Sequence, residues 1–135
     1  MGAVRVLVVD DEPDFRGTVR RRLEQEGYAV QEAADGAEAL RCLAVQTYDL
    51  CIVDLSMPGM TGLRLLESLR AGGRAAPPTI MVTAFGDWGS YARALELGAV
   101  TFLSKPLPMA DLLREVARAL AARPGSSAGN VPGRA

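Results

Sequence analysis

Leu50-Cys51-Ile52-Val53-Asp54 is the stretch on which the fold turns: four apolar residues in succession, then a carboxylate. An unbroken apolar run this short suits a strand covered on both faces, as in a parallel sheet with helices on each side. Working outward, residues 4–9 and 79–82 read the same way, closed by Asp10 and Thr83. Residues 29–33 and 100–103 are two more strands whose polar members, Gln31 and Glu32 among them, place them at sheet edges. Helical spacing fills the intervals. Phe15, Val19 and Leu23 recur every four residues ahead of Gly27, a C-terminal stop. Asp35 caps the next helix with Glu38 three residues on. Leu65, Leu66 and Leu69 mark the core face of the third helix. Tyr91 and Leu95 are expected to line the fourth, which Gly98 ends. Leu112, Leu113, Val116 and Leu120 stripe the fifth. Five βα units with these edges predict an α/β fold: a three-layer, doubly wound five-stranded parallel sheet of order 2-1-3-4-5, flavodoxin-like.

The 135 residues suit one domain, expected over 1–122, with 123–135 as a Pro-, Gly- and Ser-containing tail or linker. The formal charge is −1, which singles out neither nucleic acid nor an anionic membrane as partner. Nothing resembles a transmembrane run or a signal peptide, so a cytoplasmic protein is expected. Cys42 and Cys51 lack metal-ligand spacing and read as buried, reduced thiols. The absence of histidine excludes Ser-His-Asp and Cys-His nucleophile schemes and every histidine metal site.

Ligands of open parallel sheets bind beyond the strands' carboxyl ends, where the strand order reverses. Asp10, Asp11, Asp54, Thr83 and Lys105 all fall at those ends. Clustered carboxylates repel, so keeping them ionised calls for compensating charge from Lys105 and a hard divalent cation. Mg²⁺ takes oxygen ligands and suits one or two direct carboxylates. Asp54 can then attack phosphorus, giving an aspartyl phosphate, with a Thr83 hydroxyl donating to a phosphoryl oxygen. Singly, each residue is as readily a helix cap, a turn residue or a solvated charge; their convergence makes the site.

The motifs Val9-Asp10-Asp11-Glu12-Pro13, Tyr48 to Asp54, Met57-Pro58-Gly59-Met60-Thr61-Gly62, Met81-Val82-Thr83-Ala84 and Gly98 to Pro106 resemble, in order and spacing, those of response regulator receiver domains. The resemblance spans residues 4 to about 122. It implies that Asp54 is the phosphoacceptor, and that Asp11, Asp54 and the Ser56 carbonyl bind Mg²⁺, Asp10 mainly through water. It also implies that Lys105 and the Ala84 backbone contact the phosphoryl group, and that Lys105–Pro106 is cis. Thr83 and Phe102 would form the switch pair, shifting populations at the surface of the fourth helix, fifth strand and fifth helix. Trp88, Tyr91 and Arg93 lie on or near that surface. The implied donor is the phosphohistidine of a sensor histidine kinase or histidine phosphotransfer protein. The same resemblance leaves room for a homodimer through that surface and for a C-terminal effector domain, a transcriptional one included. No direct nucleic-acid or membrane contact is expected.

Such a chain is a signalling switch with weak self-directed chemistry rather than an enzyme. The competing reading is a phosphorylation-independent interaction module of the same fold. A phosphatase would want a second carboxylate two residues after the nucleophile, where Ser56 stands. Phe85, two residues past Thr83, is expected to shield the phosphoryl bond. Arg16, Arg20, Arg21 and Arg22 read as a solvated face of the first helix, or as a docking face for the kinase.

Overall fold

Ten elements alternate along the chain: β1 (Arg5–Val9), α1 (Pro13–Gln25), β2 (Ala29–Ala33), α2 (Gly36–Val45), β3 (Leu50–Asp54), α3 (Gly62–Ala71), β4 (Thr79–Thr83), α4 (Trp88–Glu96), β5 (Ala99–Ser104) and α5 (Met109–Ala122). They belong to a computed structural model that describes residues 2–84 and 88–122. Phe85, the Trp88 side chain and segment 123–135, about which the sequence raised expectations, lie outside the described residues. All strand pairs are parallel and the order is β2-β1-β3-β4-β5, as the alternation of runs predicts. The order reverses between β1 and β3, so their carboxyl ends open a crevice there.

The sheet divides the interior in two, because successive side chains of a strand face opposite ways. Leu7, Val9, Cys51, Val53 and Met81 face one core with Leu65, Leu66 and Leu69 of α3. Val6, Val8, Leu50, Ile52, Ile80 and Val82 face the other, against Val19 and Leu23 of α1 and Leu112 and Val116 of α5. Burying each such side chain contributes about 1.5–3 kcal/mol, which is why the central strands need unbroken apolar runs.

Local signals end the helices where the sequence places them. Gly27 and Gly98 take φ of +95° and +119°, a region costly for other residues. Asp35 accepts the Glu38 N–H at 2.8 Å, and the Glu38 carboxylate reaches back to the Ala34 N–H at 2.7 Å. Two expectations need correction. The buried residues of α4 and its C-terminal turn are Ala94 and Leu97, whereas Tyr91 and Leu95 are 37% and 41% exposed. Small Ala94 is fully buried against the sheet, so Leu95 is turned outward and Tyr91 meets the sheet at its edge, against Phe102. Arg16 is no solvated charge: it pairs with Glu32 of β2 at 2.6 Å, only 17% of its side chain remaining exposed.

Candidate functional site

The site is assembled from four strand ends. β1 and β3 each deliver a buried carboxylate into the crevice, Asp10 at 1% and Asp54 at 5% exposure. Each is fixed by a turn that its own side chain closes. Asp10 Oδ1 accepts the Glu12 N–H at 2.8 Å, and Asp54 Oδ1 accepts the Ser56 N–H at 3.0 Å. Asp11 is exposed on the rim. One carboxylate oxygen from each of Asp10, Asp11 and Asp54 lies within 4.8 Å of the others. A set of hard, ionisable oxygens at that spacing fits Mg²⁺. The Ser56 side chain is exposed, and Ser56 lines the same cleft as Asp11, Glu12, Asp54, Ala84 and Lys105.

Lys105, just past β5, enters from the far side. Its backbone N–H donates to the Thr83 carbonyl at 2.7 Å, tying the ends of β4 and β5 together. Its ammonium lies 2.9 Å from Asp10 Oδ2, 2.6 Å from Glu12 Oε1 and 3.6 Å from Asp54 Oδ2. The Phe15 ring sits beneath it, 4.3 Å from Nζ to centroid. The Lys105–Pro106 peptide bond is cis. Burial favours the neutral amine, but hydrogen bonds to Glu12 and Asp10 and the charge of Asp54 outweigh it and hold the ammonium above its ordinary pKa.

Asp54 is held differently. Burial pushes its carboxyl up to about 6, the Asp10 and Asp11 carboxylates adding to the rise while the Ser56 N–H and Lys105 pull against it. α3 presses on this residue from below. A Cβ at Gly62 would stand 2.6 Å from the Asp54 carbonyl oxygen, and the Gly62 N–H donates to Leu55 at 2.9 Å. Thr83 ends β4 at 3% exposure. Phe102, half-buried on β5, meets Tyr91 of α4 edge-to-face, ring centroids 4.9 Å apart.

The structure thus brings together Asp10, Asp11, Asp54, Ser56, Ala84 and Lys105, with Thr83 beside them and Phe102 one strand away. Glu12 and Arg16 were missed as site residues. Glu12 occupies the first cap of α1 yet makes no side-chain capping bond, its carboxylate going to Lys105 instead. Arg16 donates to the Asp10 carbonyl at 2.8 Å while holding Glu32. Glu12 follows directly on the acidic pair, a signal the sequence did offer. Arg16 offered none, since its partner lies on another element.

Fold and site together define a doubly wound α/β protein with an acidic, lysine-countered centre at its topological switch point. Residues 6–117 match the response regulator receiver domain, and the chain belongs to that family. It is 38% identical over 122 residues to the response regulator RppA of Synechocystis, covering 89% of this chain and 51% of that protein. It is 36% identical over 112 residues to the transcriptional regulatory protein ResD of Bacillus subtilis, covering 83% and 46%. The chain therefore spans about half the length of these curated relatives. The response regulator TrrA of Thermotoga maritima, solved in complex with Mg²⁺-BeF, superposes with a TM-score of 0.75 at 32% identity, covering 86% of this chain and 98% of that one. No helix among the described residues is long and apolar enough to cross a membrane.

Proposed function

We propose that Asp54 accepts a phosphoryl group from a phosphohistidine of a two-component kinase or phosphotransfer protein. The observation that carries this is Asp54 itself: a buried carboxylate aimed into the cleft, between an ammonium and two further carboxylates. An Asp54 oxygen attacks phosphorus, the P–N bond breaks, and its electron pair returns to the imidazole, which takes a proton from solvent. No histidine occurs in these 135 residues, so the imidazole is supplied from outside them. Asp11, Asp54 and the Ser56 carbonyl would hold Mg²⁺, with Asp10 behind them; when bound, the ion offsets charge on carboxylates and phosphoryl oxygens. Lys105 contributes the fixed positive charge, Thr83 a hydroxyl and Ala84 a backbone N–H for the phosphoryl oxygens. Hydrolysis ends the signal: water attacks phosphorus, the acyl P–O bond breaks, and Asp54 is regenerated with free phosphate.

The readout runs through Phe102, whose ring touches Tyr91 and so joins β5 to α4. Val100, Leu95 and Tyr91 give the α4–β5–α5 side exposed apolar area, 50%, 41% and 37% respectively. That surface suits an effector domain, a target or a second copy, and a transcriptional output accords with ResD. The test is incubation with Mg²⁺ and acetyl phosphate, read by intact mass. One base-labile phosphoryl adduct is expected, absent in Asp54→Asn. No adduct with any divalent cation would leave a phosphorylation-independent interaction module.

A further inference from the structure

The ammonium of Lys105 has three protons and three carboxylates within 4 Å, and it does not serve them equally. Its two short contacts go to Asp10 at 2.9 Å and Glu12 at 2.6 Å, and Asp54 is left at 3.6 Å. The two near partners differ in how firmly they are held. Asp10 has 2% of its side chain exposed and its other oxygen tied to the Glu12 N–H, so it cannot leave without stranding a buried charge. Glu12 has 61% of its side chain in water and can swing out at little cost. Its side chain has no work in the helix it begins, since it makes no capping bond there. Among the described residues, its side chain hydrogen-bonds across the cleft mouth to Lys105.

We infer that Glu12 is a displaceable placeholder on Lys105, a positioning residue that occupies the ammonium until a phosphoryl oxygen replaces it. The inference rests on the reading of Asp54 as phosphoacceptor. A phosphoryl group on Asp54 brings several anionic oxygens toward Nζ, more acceptors than the one N–H that Asp10 and Glu12 leave over, and the more loosely held of the two partners yields. Asp10 stays and Glu12 goes to solvent. The latch therefore sets the threshold for phosphoryl engagement: it opposes occupancy of the site and holds Lys105 across the cleft mouth until a phosphoryl oxygen takes the place of Glu12.

The test is titration of beryllofluoride, a phosphoryl mimic, at saturating Mg²⁺, followed by ¹⁹F NMR on wild type, Glu12→Gln and Glu12→Asp. The wild type should bind. Glu12→Gln should bind about twofold to fivefold more tightly, the worth of an exposed ion pair. Glu12→Asp keeps the charge but shortens the reach, and it should match Gln if the contact to Lys105 is what matters. Tightening in Gln with wild-type behaviour in Asp would reduce Glu12 to simple repulsion and overturn the latch. Unchanged or weaker binding in Gln would overturn it too, pointing instead to a structural or cation-binding role. Failure of the wild type to bind at all would instead sink the phosphoacceptor reading, and the latch with it.

Discussion

At the end of β1, Asp10 folds its carboxylate back onto the amide two residues on; at the end of β3, Asp54 does the same. The turns are alike, but their surroundings are not. Asp10 has a full-strength contact to Lys105 at 2.9 Å, and its carbonyl is clamped by Arg16. Asp54 stands 3.6 Å from the same ammonium, and its carboxyl is pushed up to about 6. One carboxylate is satisfied and the other is left wanting a cation. That unequal provision separates a residue that shapes the site from one able to react in it.

The comparison breaks first at Asp10→Asn. Asparagine keeps the acceptor for the Glu12 N–H, so the turn survives, but the charge facing Lys105 and Mg²⁺ is lost. Labelling by acetyl phosphate should continue and slow about a hundredfold, roughly 2.7 kcal/mol of barrier. A wild-type rate would show that the pairing of Asp10 has no bearing on the chemistry.

Next in size is Gly62→Ala, which probes what braces the β3 turn. The new Cβ meets a backbone oxygen at 2.6 Å, which cannot swing aside. A loss of about 2.5 kcal/mol in urea unfolding is expected. A loss within a few tenths would mean that α3 does not hold Asp54 in place.

The third is a pH dependence. The folded value of Asp54 lies above its ordinary 3.8, so the fold prefers the protonated form. Its stabilising contribution is complete below 3.8 and disappears as pH rises through about 6. Without divalent ions, the difference between wild type and Asp54→Asn should therefore narrow between pH 7 and pH 4, the variant being more stable at pH 7 by about 2 kcal/mol. Asp10, Asp11 and Lys105 face the same group, so Mg²⁺ should remove most of this difference. Parallel melting curves across that range would contradict the unequal treatment of the two aspartates.

The smallest effect belongs to Arg16→Gln, which releases the Asp10 carbonyl and Glu32 together. About 1 kcal/mol of stability should go, with weaker Mg²⁺ binding by calorimetry. Loss of stability alone would make Arg16 a brace for β2 and nothing more.

The strands and the gathering of Asp10, Asp11, Asp54, Thr83 and Lys105 were legible because burial on both faces demands unbroken apolar runs and parallel topology stacks their ends. The finer economy of charge was not. Arg16 reads as one of four basic residues on α1 until β2 places Glu32 beside it, and Glu12 reads as one more member of the acidic motif until Lys105 arrives from 93 positions away. Tyr91 and Leu95 misled for a related reason. The helical period marks an apolar stripe, but which members meet the sheet depends on how α4 lies, and Ala94 and Leu97 take that place.

The sheet's division of the interior bears on how such a protein can vary over generations. α1 and α5 rest on one core, while α2, α3 and α4, with Phe102 of β5, rest on the other. A substitution that repacks the α4 side meets the α1 side only through the strands, so effects in the two cores should add rather than compound. Under the proposed function, descendants can then remodel the α4 part of the output surface while the core beneath α1 and α5 keeps its packing.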